Sequence, residues 1–282
     1  MKKLSAISII AIALMTLVLV VSGCTTPTAT PVANVTATPA ANVTVTPAAN
    51  ATGNMTMTPG VLSVATEAHY PPFENINTTT GEFYGFDIDL MNEIGKELGL
   101  EVKYTDHAFD TIIPAVQAGK FDCAISAFTI RPDRQQSVDF SDWYYESAGQ
   151  AIVTKPGSTI KNSSDLVGKV VGAQAGTVGF DAVKAIEGMP EDKVKSYATM
   201  NEAFMALKKG EVEAVVGDYP VCEPYYRDTP GDYSLAGPLS ETEYFGIVIN
   251  KENKELTAAI NQALAKIKAD GRYQTIYDRW FA

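Results

Sequence analysis

From residue 61 onward the chain alternates short apolar runs with amphipathic stretches, and this alternation restricts it to an α/β architecture. Short apolar runs are typical of buried strands, whereas apolar residues three or four positions apart are typical of helices that cover a sheet. The first set of predicted elements is strand 61–66, a helix through 90–98, strand 102–104, helix 111–118 and strand 121–126. Gly99 and Gly119 directly follow the two helices, as expected of residues that end a helix.

The same order of elements restarts after Gly168. The second set is strand 169–173, a helix after Thr177, strand 194–198, helix 200–209 and strand 212–216. The sequence therefore predicts two similar α/β units in tandem. An apolar run at 246–249 and a long helix through 256–267 come next, followed by apolar and aromatic positions from Tyr273 to Trp280, and we expect this terminal helix to cover the first unit.

The N-terminus has the pattern of an export signal. Lys2 and Lys3 precede an apolar run that ends at residue 21. The following Val-Ser-Gly-Cys at 21–24 resembles the lipobox of lipoproteins, which implies that 1–23 is a signal peptide and that Cys24 is lipidated. The alternative is an uncleaved transmembrane anchor, since the run is just long enough to span a bilayer. Either arrangement tethers the protein to the outer face of the cytoplasmic membrane.

Residues 24–60 have the composition of a stalk. The segment carries no charged residue and repeats a unit rich in Thr, Pro, Ala, Asn and Val. Such a composition cannot build a core and favours an extended spacer. N-x-S/T sequons in it either accept glycans or arise by chance from the repeat, and they begin at Asn34, Asn42, Asn50 and Asn54.

The charge of the chain bears on its partners. Its 22 basic and 33 acidic residues give a formal net charge of −11. A surface of this sign repels nucleic acid and attracts cationic ligands. We therefore expect no nucleic-acid partner.

Residues with catalytic or metal-binding chemistry are sparse. The chain has no HExxH, CxxC, GxSxG or Walker motif, and its histidines are His69 and His107 alone. Apart from Cys24, the cysteines are Cys123 and Cys222, which fall in different predicted units and are expected to be buried, unpaired thiols. We expect no catalytic site, no metal and no cofactor.

A glycine-spaced segment at 171–179 lies between a predicted strand and a predicted helix. Such a turn exposes backbone N–H groups that can hold an anion. Packing alone also explains glycines of this kind, so the segment by itself leaves both interpretations open.

Five segments together resemble the family-3 polar amino-acid-binding proteins of ABC importers, which include lysine/arginine/ornithine- and glutamine-binding proteins. The segments are TEAHYPPFE at 66–74, GFDIDL at 85–90, the stretch 113–122, TIRPDR at 129–134 and DFS at 139–141. Their order and spacing agree with the family, and the resemblance covers 61–282.

The resemblance implies a type II periplasmic-binding-protein-like fold, in which two α/β lobes are joined by a two-strand hinge and the ligand lies between them. The expected first lobe is 61–147 plus 246–282, and the second is 148–245. The C-terminal helix is expected to return to the first lobe.

The resemblance also assigns the two ends of an amino-acid ligand. Arg134 is similar to the arginine that binds the α-carboxylate, and its planar fork suits that bidentate contact. Thr129 and Thr177 are similar to residues that assist it, which would give the glycine-spaced turn a function. Asp218 is similar to the carboxylate that holds the α-ammonium, together with Ser126, although Asp218 also suits a helix N-cap.

Selectivity is expected from Glu67, Tyr70 and Phe109, which resemble the acid and the two aromatic residues around the ligand side chain. An acid between aromatic faces favours a cationic side chain. The departures from the family pattern are Glu67 in place of Asp and Ala127 in place of Ser. Ala173 offers no polar side chain.

These residues predict a monomeric amino-acid-binding component of an ABC importer, which delivers a basic or polar amino acid to a membrane permease after hinge closure and catalyses no reaction. The alternatives are a sensor domain or a dehydratase-type enzyme on the same fold. A sensor would require a separate signalling partner, and an enzyme would require a proton donor that does not bind the ligand.

Overall fold

The computed structural model describes residues 55–282. Within this range the strands are β1 Val61–Thr66, β2 His69–Tyr70, β3 Glu74–Ile76, β4 Phe83–Tyr84, β5 Glu101–Asp106, β6 Cys123–Ala124, β7 Asp139–Phe140, β8 Tyr145–Ser147, β9 Gln150–Thr154, β10 Val171–Gln174, β11 Val194–Tyr197, β12 Ala214–Asp218, β13 Ser234–Pro238, β14 Glu243–Phe245 and β15 Val248–Ile249. The α-helices are α1 Phe86–Leu98, α2 Phe109–Gln117, α3 Pro132–Ser137, α4 Val178–Lys184, α5 Met200–Lys209, α6 Tyr219–Asp228, α7 Lys254–Ala269 and α8 Arg272–Phe281. The predicted signal peptide, the Cys24 lipidation site and the sequons from Asn34 to Asn54 lie outside the described residues.

The first sheet has the strand order β5-β1-β6-β15-β7. Strand β1 pairs in parallel with β5 and β6, and β15 pairs antiparallel with β6 and β7. Helix α1 connects β1 to β5 along the chain, and α2 connects β5 to β6. The strand–helix alternation predicted for the first unit is confirmed, and β1 has its predicted bounds.

The second sheet repeats this arrangement in the order β11-β10-β12-β9-β13. Strand β10 pairs in parallel with β11 and β12, and β9 pairs antiparallel with β12 and β13. Helix α5 spans the predicted 200–209. The two sheets with their helices form the two α/β lobes that the sequence predicts.

Two strands connect the lobes as a hinge. Strand β8 leads from β7 of the first sheet to β9 of the second, and β14 leads from β13 back to β15. The two pair antiparallel, with Glu243 opposite Ser147 and Phe245 opposite Tyr145. This is the predicted two-strand hinge.

Aromatic rings fix the hinge against the first lobe. Phe73 contacts Tyr145 and Phe245 with ring centroids 4.9 and 5.4 Å apart, both edge to face. Phe281, at the end of α8, lies 4.9 Å from Tyr145. Such pairs contribute about 0.5–1.5 kcal/mol each beyond their buried area. The first-lobe ends of β8 and β14 are therefore held in one rigid aromatic cluster.

The C-terminal helices cover the first lobe. Both α7 and α8 pack against α1, and Trp280 donates through Nε1 to Oδ2 of Asp89 on α1 at 2.9 Å. Gly271, with φ 87°, separates the two helices, because this left-handed conformation suits a residue without Cβ. The predicted terminal helix α7 lies on the first unit as expected, and the residues that follow it form the separate helix α8.

Several boundaries differ from the prediction, and two of these differences arise from tertiary contacts. The third strand, predicted at 121–126, is only Cys123–Ala124, because the chain turns away at Ala127, whose φ is +46°. The compact body also begins before Val61, since the Met57 N–H donates to Oδ1 of Asp122 at 2.7 Å and Met55 is buried. Residues 55–60, assigned to the stalk from composition, thus lie against the first lobe.

The cysteine prediction is confirmed. Cys123 lies on β6 in the first lobe and Cys222 on α6 in the second. Both are unpaired and buried, and burial raises the pKa of each thiol above its usual range. Each behaves as a small apolar residue within its own lobe.

Candidate functional site

Polar side chains collect where the strands of both sheets end. Glu67 follows β1, Ser126 follows β6, Gln174 ends β10 and Asp218 ends β12. In open α/β sheets the carboxyl ends of parallel strands form the usual ligand site. These four residues are only 3%, 1%, 0% and 5% exposed. A buried polar cluster therefore lies between the lobes.

Arg134, on α3, is the buried cation of this region. It is 7% exposed and its guanidinium donates to the Thr129 carbonyl at 3.0 Å and, across the cleft, to the Gly176 carbonyl at 2.9 Å. Its Cζ lies 5.6 Å from the ring centre of Phe109 and 5.5 Å from that of Phe128. Burial lowers the pKa of Arg134 to about 10, so it remains charged at neutral pH.

The glycine-spaced turn approaches the first lobe closely. Gly176 has φ +74°, and a Cβ added to it would lie 2.9 Å from Cβ of Asp110 at the start of α2. A larger residue here would force the lobes apart. The turn is therefore a point of contact between the lobes.

Asp218 is the buried anion on the second lobe. It accepts hydrogen bonds from the hydroxyl of Tyr70 at 2.5 Å and from Nε2 of Gln150 at 2.6 Å. Burial, followed by the nearby charge of Glu243, raises the pKa of Asp218 to about 7. Asp218 occupies the N-cap position of α6 but makes no capping hydrogen bond. Its carboxylate is directed into the cleft instead.

Glu67 is a second buried anion, on the first lobe. Nε2 of Gln174 donates to it from the other lobe at 3.1 Å, and Nδ1 of His69 lies 3.2 Å from its other oxygen. Burial raises the pKa of Glu67 above its usual range. Within residues 55–282 its ion-pair partner is this half-exposed histidine alone. The carboxyl group is therefore incompletely neutralised.

The turn after β6 presents three of the predicted residues. Ser126 accepts from the Glu67 N–H at 3.1 Å, and Ala127 donates its N–H to Asp87 at 2.9 Å. The Thr129 hydroxyl donates to Oε2 of Glu243 on the hinge at 3.0 Å. All three side chains are less than a tenth exposed.

The remaining predicted residues have local partners. The Thr177 hydroxyl accepts from the Phe180 N–H at 3.2 Å and donates to the Gln174 carbonyl at 2.8 Å, so it caps α4. Ala173 is fully buried within β10, one position before Gln174. Phe109 stacks on Phe128 with ring centroids 4.6 Å apart.

A family model described as bacterial extracellular solute-binding proteins, family 3, matches residues 62–282. The chain belongs to this family.

Similar proteins support this assignment along the whole body of the chain. ABC transporter arginine-binding protein 1 of Escherichia coli (strain K12) is 37% identical over 224 residues, which are 78% of this chain and 90% of that protein. Structures of an ancestral arginine-binding protein bound to arginine and bound to glutamine are each 43% identical, with a TM-score of 0.74, and cover 79% of this chain and 99% of theirs. The family-3 fold of two α/β lobes is thereby shown.

Three polar residues of this family-3 cleft were not predicted from the sequence. Gln150 begins β9, Gln174 ends β10 and Glu243 lies on hinge strand β14. Glu243 accepts from Gln150 of the second lobe at 3.2 Å and from Thr129 of the first. The only sequence signal was a polar side chain at the end of a predicted strand or near a glycine, and this signal does not distinguish a cleft residue from a surface residue.

The described part of this family-3 protein lacks two kinds of feature. Among residues 55–282 no group of three or more His, Cys, Asp or Glu side chains is arranged to hold a metal ion. In the same range no helix has the length and apolar character needed to cross a bilayer.

Proposed function

We propose that this protein is the extracytoplasmic amino-acid-binding component of an ABC importer and that it binds a basic amino acid between its lobes. The importer role is drawn from its family and from relatives named as arginine-binding proteins. The chemistry of the ligand is drawn from the cleft.

One observation carries the proposal: a buried cation and a buried anion face the same cleft. Arg134 and Asp218 are each less than a tenth exposed and are close enough to influence one another's pKa. An amino acid carries the complementary pair, a carboxylate and an ammonium on one carbon. Arg134, assisted by Thr129 and Thr177, receives the carboxylate, and Asp218 with Ser126 receives the ammonium.

Glu67 supplies the basis for a basic side chain. A buried carboxylate without a matching cation is costly, and a bound guanidinium or ammonium group would offset that cost. Phe109 and Tyr70 provide aromatic faces that favour a cation. The ancestral relative has structures with arginine and with glutamine, so the scaffold alone does not exclude a neutral ligand. Glu67 is what favours the cationic one here.

Closure of the lobes couples binding to recognition by a permease. Gln174, Gly176 and Asp218 of the second lobe contact Glu67, Arg134 and Tyr70 of the first. A ligand that contacts both lobes shifts the population toward the closed form. The permease then distinguishes liganded from unliganded protein by this form.

The proposal includes the organisation of the chain. The lobes comprise 61–147 plus 246–282, and 148–245, because the hinge strands end at Ser147 and Phe245. A lipid on Cys24 anchors the monomeric protein to the outer face of the cytoplasmic membrane, where the stalk holds it near the permease.

Isothermal titration of the purified protein against L-arginine, L-lysine, L-ornithine, L-histidine, L-glutamine and L-glutamate tests the proposal. We expect at least one basic amino acid to bind more than about 10-fold more tightly than glutamine, because a charge-assisted contact contributes about 1.5–3 kcal/mol. Glutamate is the matched control, since it has the same α-groups but an anionic side chain that Glu67 repels.

Tighter binding of glutamine than of any basic amino acid would retain the importer role and overturn the basic selectivity. No binding of any amino acid would overturn the function itself. Chemical conversion of the ligand, monitored by mass spectrometry, would instead indicate a dehydratase.

A further inference from the structure

Two fully buried carboxyl groups lie behind the cleft. Glu74, on β3, and Asp87, near the start of α1, are both 0% exposed. The Ser126 hydroxyl donates to Oε1 of Glu74 at 2.7 Å. The Ala127 N–H and the Tyr144 hydroxyl donate to Oδ2 of Asp87 at 2.9 and 2.8 Å. One oxygen of each carboxyl group is thus fully engaged with the turn after β6 and its surroundings.

The second oxygen of each group lacks a donor. Oε2 of Glu74 and Oδ1 of Asp87 are buried without a partner if both groups are ionised. The two groups are neighbours, because the Asp87 N–H donates to the carbonyl of Phe73, next to Glu74, at 2.9 Å, and their bonded oxygens meet the consecutive residues Ser126 and Ala127. Because a carboxylate can only accept, these two unpartnered oxygens can satisfy each other only if one of the two groups carries a proton.

The surroundings favour neutralisation by a proton rather than by a cation. The groups that face the pair are Glu67 and the tyrosines Tyr70, Tyr104, Tyr144 and Tyr273. Within residues 55–282 no Lys, Arg or His is among the principal charges that act on either carboxyl group. Two neighbouring buried negative charges would be strongly unfavourable.

Glu74 is the group that keeps the proton, and Asp87 is the better anion. Asp87 accepts two hydrogen bonds and lies in the first turn of α1, where the helix dipole favours negative charge. Burial raises the pKa of Asp87 to about 6. Burial and the adjacent Asp87 raise the pKa of Glu74 well above its usual range.

The pair determines the chemistry of the turn that borders the cleft. Ala127 adopts φ +46°, a conformation that is unfavourable for a residue with Cβ, and Asp87 holds its N–H. The single proton of the Ser126 hydroxyl is directed to Glu74. Toward the cleft, Ser126 can therefore only accept a hydrogen bond, which suits an ammonium donor.

We propose that Glu74 and Asp87 share one proton and act as positioning residues, which hold the turn at 126–127 and make Ser126 an acceptor for the ammonium group of the ligand. The role toward the ligand rests on the proposed amino-acid-binding function. The shared proton is independent of that function, because it is a property of the unliganded protein.

The pH dependence of unfolding, measured on the unliganded protein from pH 5 to 9, tests whether the pair holds a proton in the folded state. A folded group with a raised pKa holds its proton where the unfolded group has lost it, so stability falls as pH rises. Relative to Glu74→Gln, which cannot ionise, the unfolding equilibrium constant of the wild type should rise up to about 10-fold per pH unit. Glu82→Gln, at an exposed carboxylate of the same lobe, is the matched control and should follow the wild type. Parallel curves for wild type and Glu74→Gln would overturn the proposal.

A double variant tests that exactly one proton is shared. In Glu74→Gln the amide donates to Asp87, and in Asp87→Asn the amide donates to Glu74, so each single variant keeps the bond. In the double variant two NH₂ groups oppose each other. We expect it to be destabilised by at least about 10-fold more in the unfolding constant than the two single changes predict together. Additive effects would contradict a shared proton.

Titration with L-arginine tests the positioning role. Glu74→Ala should weaken binding by at least about 10-fold, since Ser126 is then free to turn its proton toward the ligand. Glu74→Gln should restore most of that loss, because its amide oxygen still accepts from Ser126. Equal affinity of Glu74→Ala and wild type would overturn the role.

If Glu74→Ala does not fold, folded Glu74→Gln at pH 7 decides the matter. A 10-fold or greater loss of affinity in that variant would overturn the positioning role, and a smaller loss would support it. Failure of the wild type to bind any amino acid counts against the proposed function and leaves the pH test of the proton decisive.

Discussion

The hydroxyl of Tyr70 donates a hydrogen bond to Oδ2 of Asp218 at 2.5 Å, from one lobe to the other. Tyr70 lies on β2 beside Glu67, and Asp218 ends β12 in the second sheet. Both residues are at most 5% exposed. The bond therefore joins the lobes at the centre of the cleft and also stabilises the ionised form of Asp218.

Tyr70→Phe removes this bond and keeps the ring. We expect L-arginine to bind about 10-fold more weakly at pH 7, because a hydrogen bond to a charged group contributes about 1.5–3 kcal/mol. The pKa of Asp218 should also rise, so the loss should shrink at pH 8. Tyr233→Phe is the control, since its hydroxyl donates to the Phe204 carbonyl inside the second lobe at 3.1 Å. An equal loss of affinity in the control would show that the effect is not specific to the cleft.

Affinity should depend on pH through Asp218. Its pKa of about 7 means that the carboxylate, which the ammonium group requires, is progressively protonated below neutrality. We expect affinity for L-arginine to fall by up to about 10-fold per unit below pH 7 and to level off above pH 8. Titrations in buffers of different ionisation enthalpy should detect proton release on binding near pH 7. A flat profile in the wild type would contradict this role of Asp218.

Asp218→Asn should separate stability from binding. Because the folded pKa of Asp218 is raised from 3.8 to about 7, its ionisation lowers the stability of the unliganded protein as pH rises through this range. The amide variant avoids that loss, so at pH 8 its melting temperature should exceed that of the wild type. Its affinity for L-arginine should fall more than about 10-fold. A lower melting temperature without ligand would show that burial of the charge is not the dominant effect.

Glu67→Gln should change selectivity rather than abolish binding. Loss of the buried negative charge should weaken the binding of L-arginine by about 10- to 100-fold, as expected for a charge-assisted contact. The affinity for L-glutamine, which has no cationic side chain, should change by less than about 3-fold. Competition titrations with the two ligands measure the ratio directly. An equal loss for both ligands would mean that Glu67 holds the structure of the cleft rather than selecting the ligand.

Arg134→Lys should be far more damaging than Arg131→Lys. Arg134 uses a planar fork on Thr129 and Gly176 carbonyls between two aromatic rings, and lysine cannot reproduce that geometry. We expect at least about a 10-fold loss for L-arginine. Arg131 pairs with Asp181 across the cleft rim at 2.7 Å, but the pair is partly exposed. Arg131→Lys should therefore lower the affinity for L-arginine by about 3-fold or less. The comparison requires titration of both variants at one pH and salt concentration.

The alternation of apolar runs and helical patterns was sufficient to predict the two α/β units. Strand β1 and helix α5 have their predicted bounds, since each is bordered by residues with clear local preferences, such as Gly210 with φ 83° after α5. Where tertiary contacts override local preference, the prediction was wrong. The 121–126 strand stops early because Asp87, distant in the sequence, holds the Ala127 N–H.

Linked motifs along the chain predict several candidate residues of the cleft. Arg134, Asp218 and Glu67 are each less than a tenth exposed, and each contacts a residue of the other lobe. The pattern around Tyr70 carried no indication that its hydroxyl would reach Asp218, because 148 positions separate the two residues.

The sequence by itself determined the order of the elements and the kinds of side chain at strand ends, because these depend on neighbours within a few residues. Only the tertiary structure decided which of those side chains meet. Gln150, Gln174 and Glu243 became cleft residues, and Glu74 and Asp87 became a buried pair, because folding brings distant strand ends and the hinge within hydrogen-bond range. Burial then sets their pKa values, since the energy of a charge depends on the medium that surrounds it rather than on its position along the chain.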